Sequence, residues 1–155
     1  MHQHVTRLLA TALILTAAAC TTSGSDDKPA ATTKTTSPAG KLSAAWTPKL
    51  KAATKTDTGI CNQAGDQACA EHLTDIALVV DDLETAINGA GGAAAYPKTT
   101  AQIGKVNAAV EAYTEHECLG DENASIQGSP CPDDARTIMA GGEALQLALA
   151  ADEAG

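Results

Sequence analysis

From residue 69 to residue 149 the apolar side chains recur every three or four positions, in three successive runs. The first comprises Cys69, Leu73, Ile76, Val80, Leu83 and Ile87, the second Ile103, Val106, Val110 and Tyr113. The third is Cys131, Ala135, Ile138, Gly142, Leu145 and Leu149. Spacings of three and four put each set along one side of a helix, whereas a strand would demand strict alternation. The flanks agree with that reading. Asp66 stands where an N-cap belongs and Gly89 closes the first run. Pro97 precedes the second run, and Pro132, Asp133 and Asp134 form an acidic first turn for the third, which complements the helix dipole. Three amphipathic helices on short connections bury their stripes by packing on one another. The expected fold is therefore all-α, a small antiparallel three-helix bundle running up, down and up.

A fourth helix is a candidate between Lys41 and Lys55, with Leu42, Trp46, Leu50 and Ala53 on one side. Pro48 falls inside it, where it would remove a hydrogen bond; a shorter helix capped by Thr47 and opened by Pro48 would accommodate it. The neighbouring Gly141 and Gly142 lower helix propensity inside the third run, which predicts either a close helix approach or a kink there.

A core of this composition needs staples. The chain has no Phe, one Trp and two Tyr, and aliphatic side chains bury less area per residue than rings do. Cysteines can supply the staples. In the bundle topology Cys69 starts the first long helix, Cys118 ends the second and Cys131 starts the third, so all three fall at one pole, and Cys61 can reach the same place. Three pairings are formally possible. Short-loop closure favours Cys61 with Cys69 and Cys118 with Cys131, the second stabilising the fold by about 3 kcal/mol. Reduced, metal-binding cysteines are a poor alternative, since neither pair has CxxC spacing.

The N-terminus reads as an address. Met1 to Arg7 is polar with one cation, and Leu8 to Ala19 is an unbroken apolar or small run ending in Ala17-Ala18-Ala19. That is the layout of a secretory signal, and about 12 residues are too few to span a bilayer permanently. The run from Thr16 to Cys20 resembles the lipobox of bacterial lipoproteins. The resemblance implies cleavage before Cys20, lipidation of its sulfur with palmitate-type acyl chains, and anchorage at the outer face of the cytoplasmic membrane. Ordinary signal cleavage at the same bond is the alternative. Thiol parity favours lipidation, because the chain has five cysteines and removing Cys20 leaves four to pair. The Ala-, Gly- and Thr-rich style also resembles lipoproteins of high-GC actinobacteria. The expected organisation is a signal at 1–19, a lipidated start and flexible basic linker at 20–40, and an acidic helical domain at 41–155. The linker is Ser, Thr, Pro, Ala and Lys, too polar to offset the entropy of ordering.

Charge is segregated along the chain. The net formal charge is -9, yet Lys28, Lys34, Lys41, Lys49, Lys51 and Lys55 face only Asp26, Asp27 and Asp57 before residue 59. Beyond it Lys98, Lys105 and Arg136 are the only cations, against all sixteen remaining carboxylates. An acidic head on a basic stalk argues against nucleic-acid binding, which needs clustered Lys and Arg.

No signature of catalysis is present: GxSxG, SxxK, HExxH and glycine-rich phosphate loops are all lacking. His72 and His116 stand near the cysteine pole beside Glu71, Asp75, Glu115 and Glu117. At about 100° per residue His116 points off its stripe and His72 only flanks its own, so both read as surface histidines rather than ligands. Asp121, Asn123 and Ser125 resemble the opening of a calcium loop, but Ile126 replaces the glycine of its sharp turn and Pro132 its closing Glu, with Asp133 or Asp134 as substitutes. The expectation is no cofactor, no metal and no catalysis. The leading function is an interaction module with a partner in the envelope, presenting a helix face. Two alternatives are a cation- or small-ligand-binding lipoprotein using the acidic pole, and a purely structural envelope protein.

Overall fold

The computed structural model describes residues 41–55 and 59–155, so the expected signal, Cys20 and the linker lie outside the described residues. All regular structure among the described residues is helical: α1 (Leu42–Ala53), α2 (Gln67–Gly89), α3 (Gly92–Ala95), α4 (Pro97–Glu115) and α5 (Cys131–Glu153). None of these helices is long and apolar enough to cross a membrane.

The three stripes are the core. Ile76, Val80, Leu83, Ile87, Ile103, Val106, Ile138, Leu145 and Leu149 are each no more than 1% exposed. Val110 alone of the predicted positions is only half-buried. Asp66 occupies the N-cap of α2 as expected, although its side chain makes no capping bond.

α1 is the longer of the two helices considered between Lys41 and Lys55 and runs straight through Pro48. Trp46 and Leu50 flank the proline and both are buried, so their burial requires one continuous helix. The missing proline N–H orphans the Ala44 carbonyl, but Ala44 and Pro48 lie on the exposed side, where water can serve it. The Lys49 ammonium lies over the face of the Trp46 ring, 3.9 Å from its centroid.

Gly141 and Gly142 mark a close approach. A methyl group built on Gly141 would lie 2.5 Å from Val106 Cγ2 on α4. One on Gly142 would lie 2.9 Å from both Ile76 Cγ2 on α2 and Thr54 Cγ2 just beyond α1. The glycines thus let α5 pack tightly against three neighbours along one turn.

Both ends of the helical unit are tied by sequence-distant groups. At one end, the adjacent Asp152 and Glu153 on α5 serve two different helices. The Asp152 carboxylate accepts the Lys98 N–H (3.2 Å), the Thr99 N–H (2.8 Å) and the Thr99 hydroxyl (2.7 Å), closing the first turn of α4. Glu153 accepts the Ser43 N–H (2.9 Å) and the Ser43 hydroxyl at the start of α1. Neither helix has a side-chain cap from its own N-cap residue, so the carboxylates of α5 replace it.

At the other end stand the disulfides Cys61–Cys69 and Cys118–Cys131. The turn before α2 is seated in the loop after α4. Gly120 N–H donates to the Gly65 carbonyl (2.9 Å), Ala64 N–H to Ser125 Oγ (2.7 Å) and the Tyr113 hydroxyl to the Ala64 carbonyl (2.5 Å). Burial raises the Tyr113 pKa above its ordinary value, which keeps the phenol neutral as a donor. A side chain at Gly65 would collide with the Asp121 carbonyl oxygen, so only glycine fits there.

Candidate functional site

Between α2 and α4 the surface opens into a groove of about 620 Å³. Leu73, Ala77 and Leu78 form the α2 wall, Val110 and Tyr113 the α4 wall, and Ile138 of α5 the floor. Leu119, just past α4, stands at the end. Leu78 is 61% and Leu119 53% exposed, an unusual state for two large aliphatic side chains beside one cleft. Ala70 and Ala77 add two small side chains to the α2 wall.

The rim is acidic. Asp81 rises from α2, Glu111 from α4 and Glu117 from the turn that ends α4, and no Lys or Arg lines the groove. At its far end the Asn107 amide donates to Glu84 (3.2 Å), linking the two walls. The stretches Ala70–Asp81 and Asn107–Glu117 give the cleft a length of about 15 Å at 1.5 Å per residue.

Glu117 is held in place by the helix terminus. Cys118 N–H bonds the Tyr113 carbonyl (3.2 Å), which requires the intervening residue to turn left-handed. That residue is Glu117, with φ 52°, in a position that favours glycine. The chain tolerates this cost and gains a carboxylate on the rim.

Comparison with protein-family models, curated proteins and solved structures finds no match for this chain. The reading of the site therefore rests on its own geometry.

The residues singled out in the sequence take other roles. His116 and Asp134 come together across the α4–α5 junction, with Nδ1 donating to the carboxylate at 2.7 Å. Cys118 brings its sulfur within 4.8 Å of both, but that sulfur is bonded to Cys131 and offers no thiolate. What remains is an imidazole at the end of α4 bonded to a carboxylate in the first turn of α5, an arrangement that both helix dipoles favour. His72 does not join them. It is buried rather than on the surface, one turn before Ile76 on the same flank of α2, and its Nε2 has no hydrogen-bond partner among the described residues. The surface reading is corrected for His72 alone, because the flank it shares with Ile76 is covered by neighbouring helices.

The oxygens of the calcium-like loop are spent locally. Asp121 accepts the Asn123 N–H (2.9 Å) in a tight turn, Ser125 accepts from Ala64, and Asp133 pairs with Arg136 (2.5 Å). The groove itself was not legible from the stripes. Its one sequence signal is Leu78, which lies off the line joining Ile76 and Val80 and so has no core position to fill.

Proposed function

We propose that the chain is an extracytoplasmic lipoprotein, cleaved before Cys20 and held through it at the outer face of the cytoplasmic membrane. Its helical domain, an antiparallel bundle that α1 extends to four long helices, is a non-catalytic interaction module. The end-to-end ties of α4 with α5 support the bundle reading, since the start of α4 meets the end of α5 and a disulfide joins their other ends. The observation that carries the functional reading is the open apolar groove between α2 and α4, with Leu78 and Leu119 exposed at its edge. Exposed large aliphatic side chains scattered singly are ordinary, but two of them beside one apolar cleft form a continuous surface that a partner can cover.

No residue of α1 lines the groove. The chain enters the domain at α1, so a tether there leaves the α2–α4 cleft accessible. Two measurements test the reading. Cys20→Ala should release the protein from membranes or block its maturation, and unchanged fractionation with unchanged N-terminal mass refutes the anchor. A photocrosslinker at position 78 or 119 should capture a partner in intact envelopes that the same probe at the exposed Leu147 on α5 does not. An identical capture pattern from all three positions refutes the groove as the contact surface.

A further inference from the structure

Resting on the proposed binding role of the groove, we propose that its occupant is a cationic amphipathic helix, about three turns long, presented by a partner protein. Three features of the cleft select this class. The walls and floor are largely apolar, with Leu73, Leu78, Val110, Tyr113 and Ile138 facing the cleft, so the buried side of the occupant is apolar. The length of about 15 Å matches some ten residues of helix, which suits an apolar stripe at i, i+3, i+4 and i+7. The rim sets the remaining chemistry.

Asp81, Glu111 and Glu117 stand on both walls and at the end of the groove, and none of them has a salt-bridge partner among the described residues. Among the described residues no Lys or Arg lines the groove, the α1 lysines included. Lys98 donates to the Ala151 carbonyl (3.1 Å) near the end of α5, and Lys105 and Arg136 flank a shallow depression on the α4–α5 face. An occupant carrying lysine or arginine beside its apolar stripe would lay those cations along the rim. An acidic occupant would meet repulsion from three sides. Glu117 sharpens the argument, because a left-handed position that glycine would fill at lower cost holds a carboxylate instead.

The chain's own basic stalk is a weaker occupant. Residues 21–40 carry Lys28 and Lys34 but no Leu, Ile, Val or aromatic residue to fill the cleft.

The test uses the purified full chain, titrated at low salt with a fluorescent synthetic leucine–lysine helical peptide and with its leucine–glutamate counterpart of equal length. The lysine peptide should bind saturably and at least about tenfold more tightly than the glutamate peptide, and its affinity should fall with added salt. The triple variant D81N/E111Q/E117Q should weaken lysine-peptide binding about tenfold or more, while K105S/R136S leaves it unchanged. The pair L78S/L119S alters only exposed side chains and should weaken binding of either peptide. Equal affinity for both peptides, or a triple variant that binds as the parent does, overturns the cationic occupant and leaves the groove as a contact surface. Unchanged binding in L78S/L119S overturns the groove as well. Self-association of the parent chain that L78S/L119S abolishes identifies a second copy as the occupant, and likewise overturns the proposal.

Discussion

Replacing Gly141 by alanine should destabilise the domain, whereas the same replacement at Gly104 should stabilise it. Both glycines lie in long helices, so each substitution gains about 1 kcal/mol of helix propensity. They differ in what a new methyl meets. At Gly104 nothing lies within 4 Å, and the gain stands alone. At Gly141 the methyl would lie 2.5 Å from Val106 Cγ2, and Val106 is fully buried with a stiff β-branched side chain that cannot swing aside. Overpacking of this kind costs about 1–3 kcal/mol, and so close a contact belongs at the upper end. The expected net loss is about 1–2 kcal/mol. For a domain of this size each kcal/mol moves the midpoint by about 4–8 °C, so thermal unfolding should separate the two variants by at least about 8 °C, in opposite directions from the parent. Adding Val106→Ala should restore space, giving a coupling of at least about 1 kcal/mol in a double-mutant cycle. If both glycines respond with the same sign, or the cycle shows no coupling, the close approach of α4 and α5 is not what holds glycine at 141.

Removing the Cys118–Cys131 disulfide by double serine substitution should cost about 3 kcal/mol, read from denaturant unfolding, and four alkylatable thiols in the denatured parent would refute both bridges. Tyr113→Phe strands the Ala64 carbonyl and should cost about 1–2 kcal/mol. Because the folded Tyr113 pKa is raised, its contribution is complete below the unfolded value near pH 10 and is lost as pH rises through the folded value. Unfolding between pH 9 and about 11 should therefore show a steeper loss in the parent than in the Phe variant. Asp152 is pushed upward by partial burial, but the Thr99 and Lys98 hydrogen bonds outweigh this and hold its pKa below the ordinary value. Its contribution is present above the unfolded pKa and is lost as pH falls through the folded one, so Asp152→Asn should cost about 1 kcal/mol at pH 7 and progressively less as pH falls below the ordinary carboxylate range. A variant as stable as the parent at pH 7 would contradict the capping role.

The helices were legible because they depend on periodicity, and a stripe at spacings of three and four survives any detail of packing. The disulfide pairs were legible for a related reason, since short loops between helix ends leave few choices. Pro48 left the extent of α1 open, because local propensity alone argues for a shorter helix; burial of Trp46 and Leu50 outweighs one lost hydrogen bond on a solvent-facing carbonyl. His72 was misread because angular position describes one helix, while burial depends on how wide a face its neighbours cover. The caps from Asp152 and Glu153 are tertiary, linking residues 53 and 110 positions apart, and no local pattern announces them. The groove is formed by residues of α2, α4 and α5 together, and no one stripe announces it.

The paired carboxylates at the end of α5 also define a load path. A pull on the chain ahead of residue 41 reaches α1 first, and Ser43 hands part of it directly to Glu153 on the last helix. Tension is then shared across the molecule instead of peeling α1 away turn by turn.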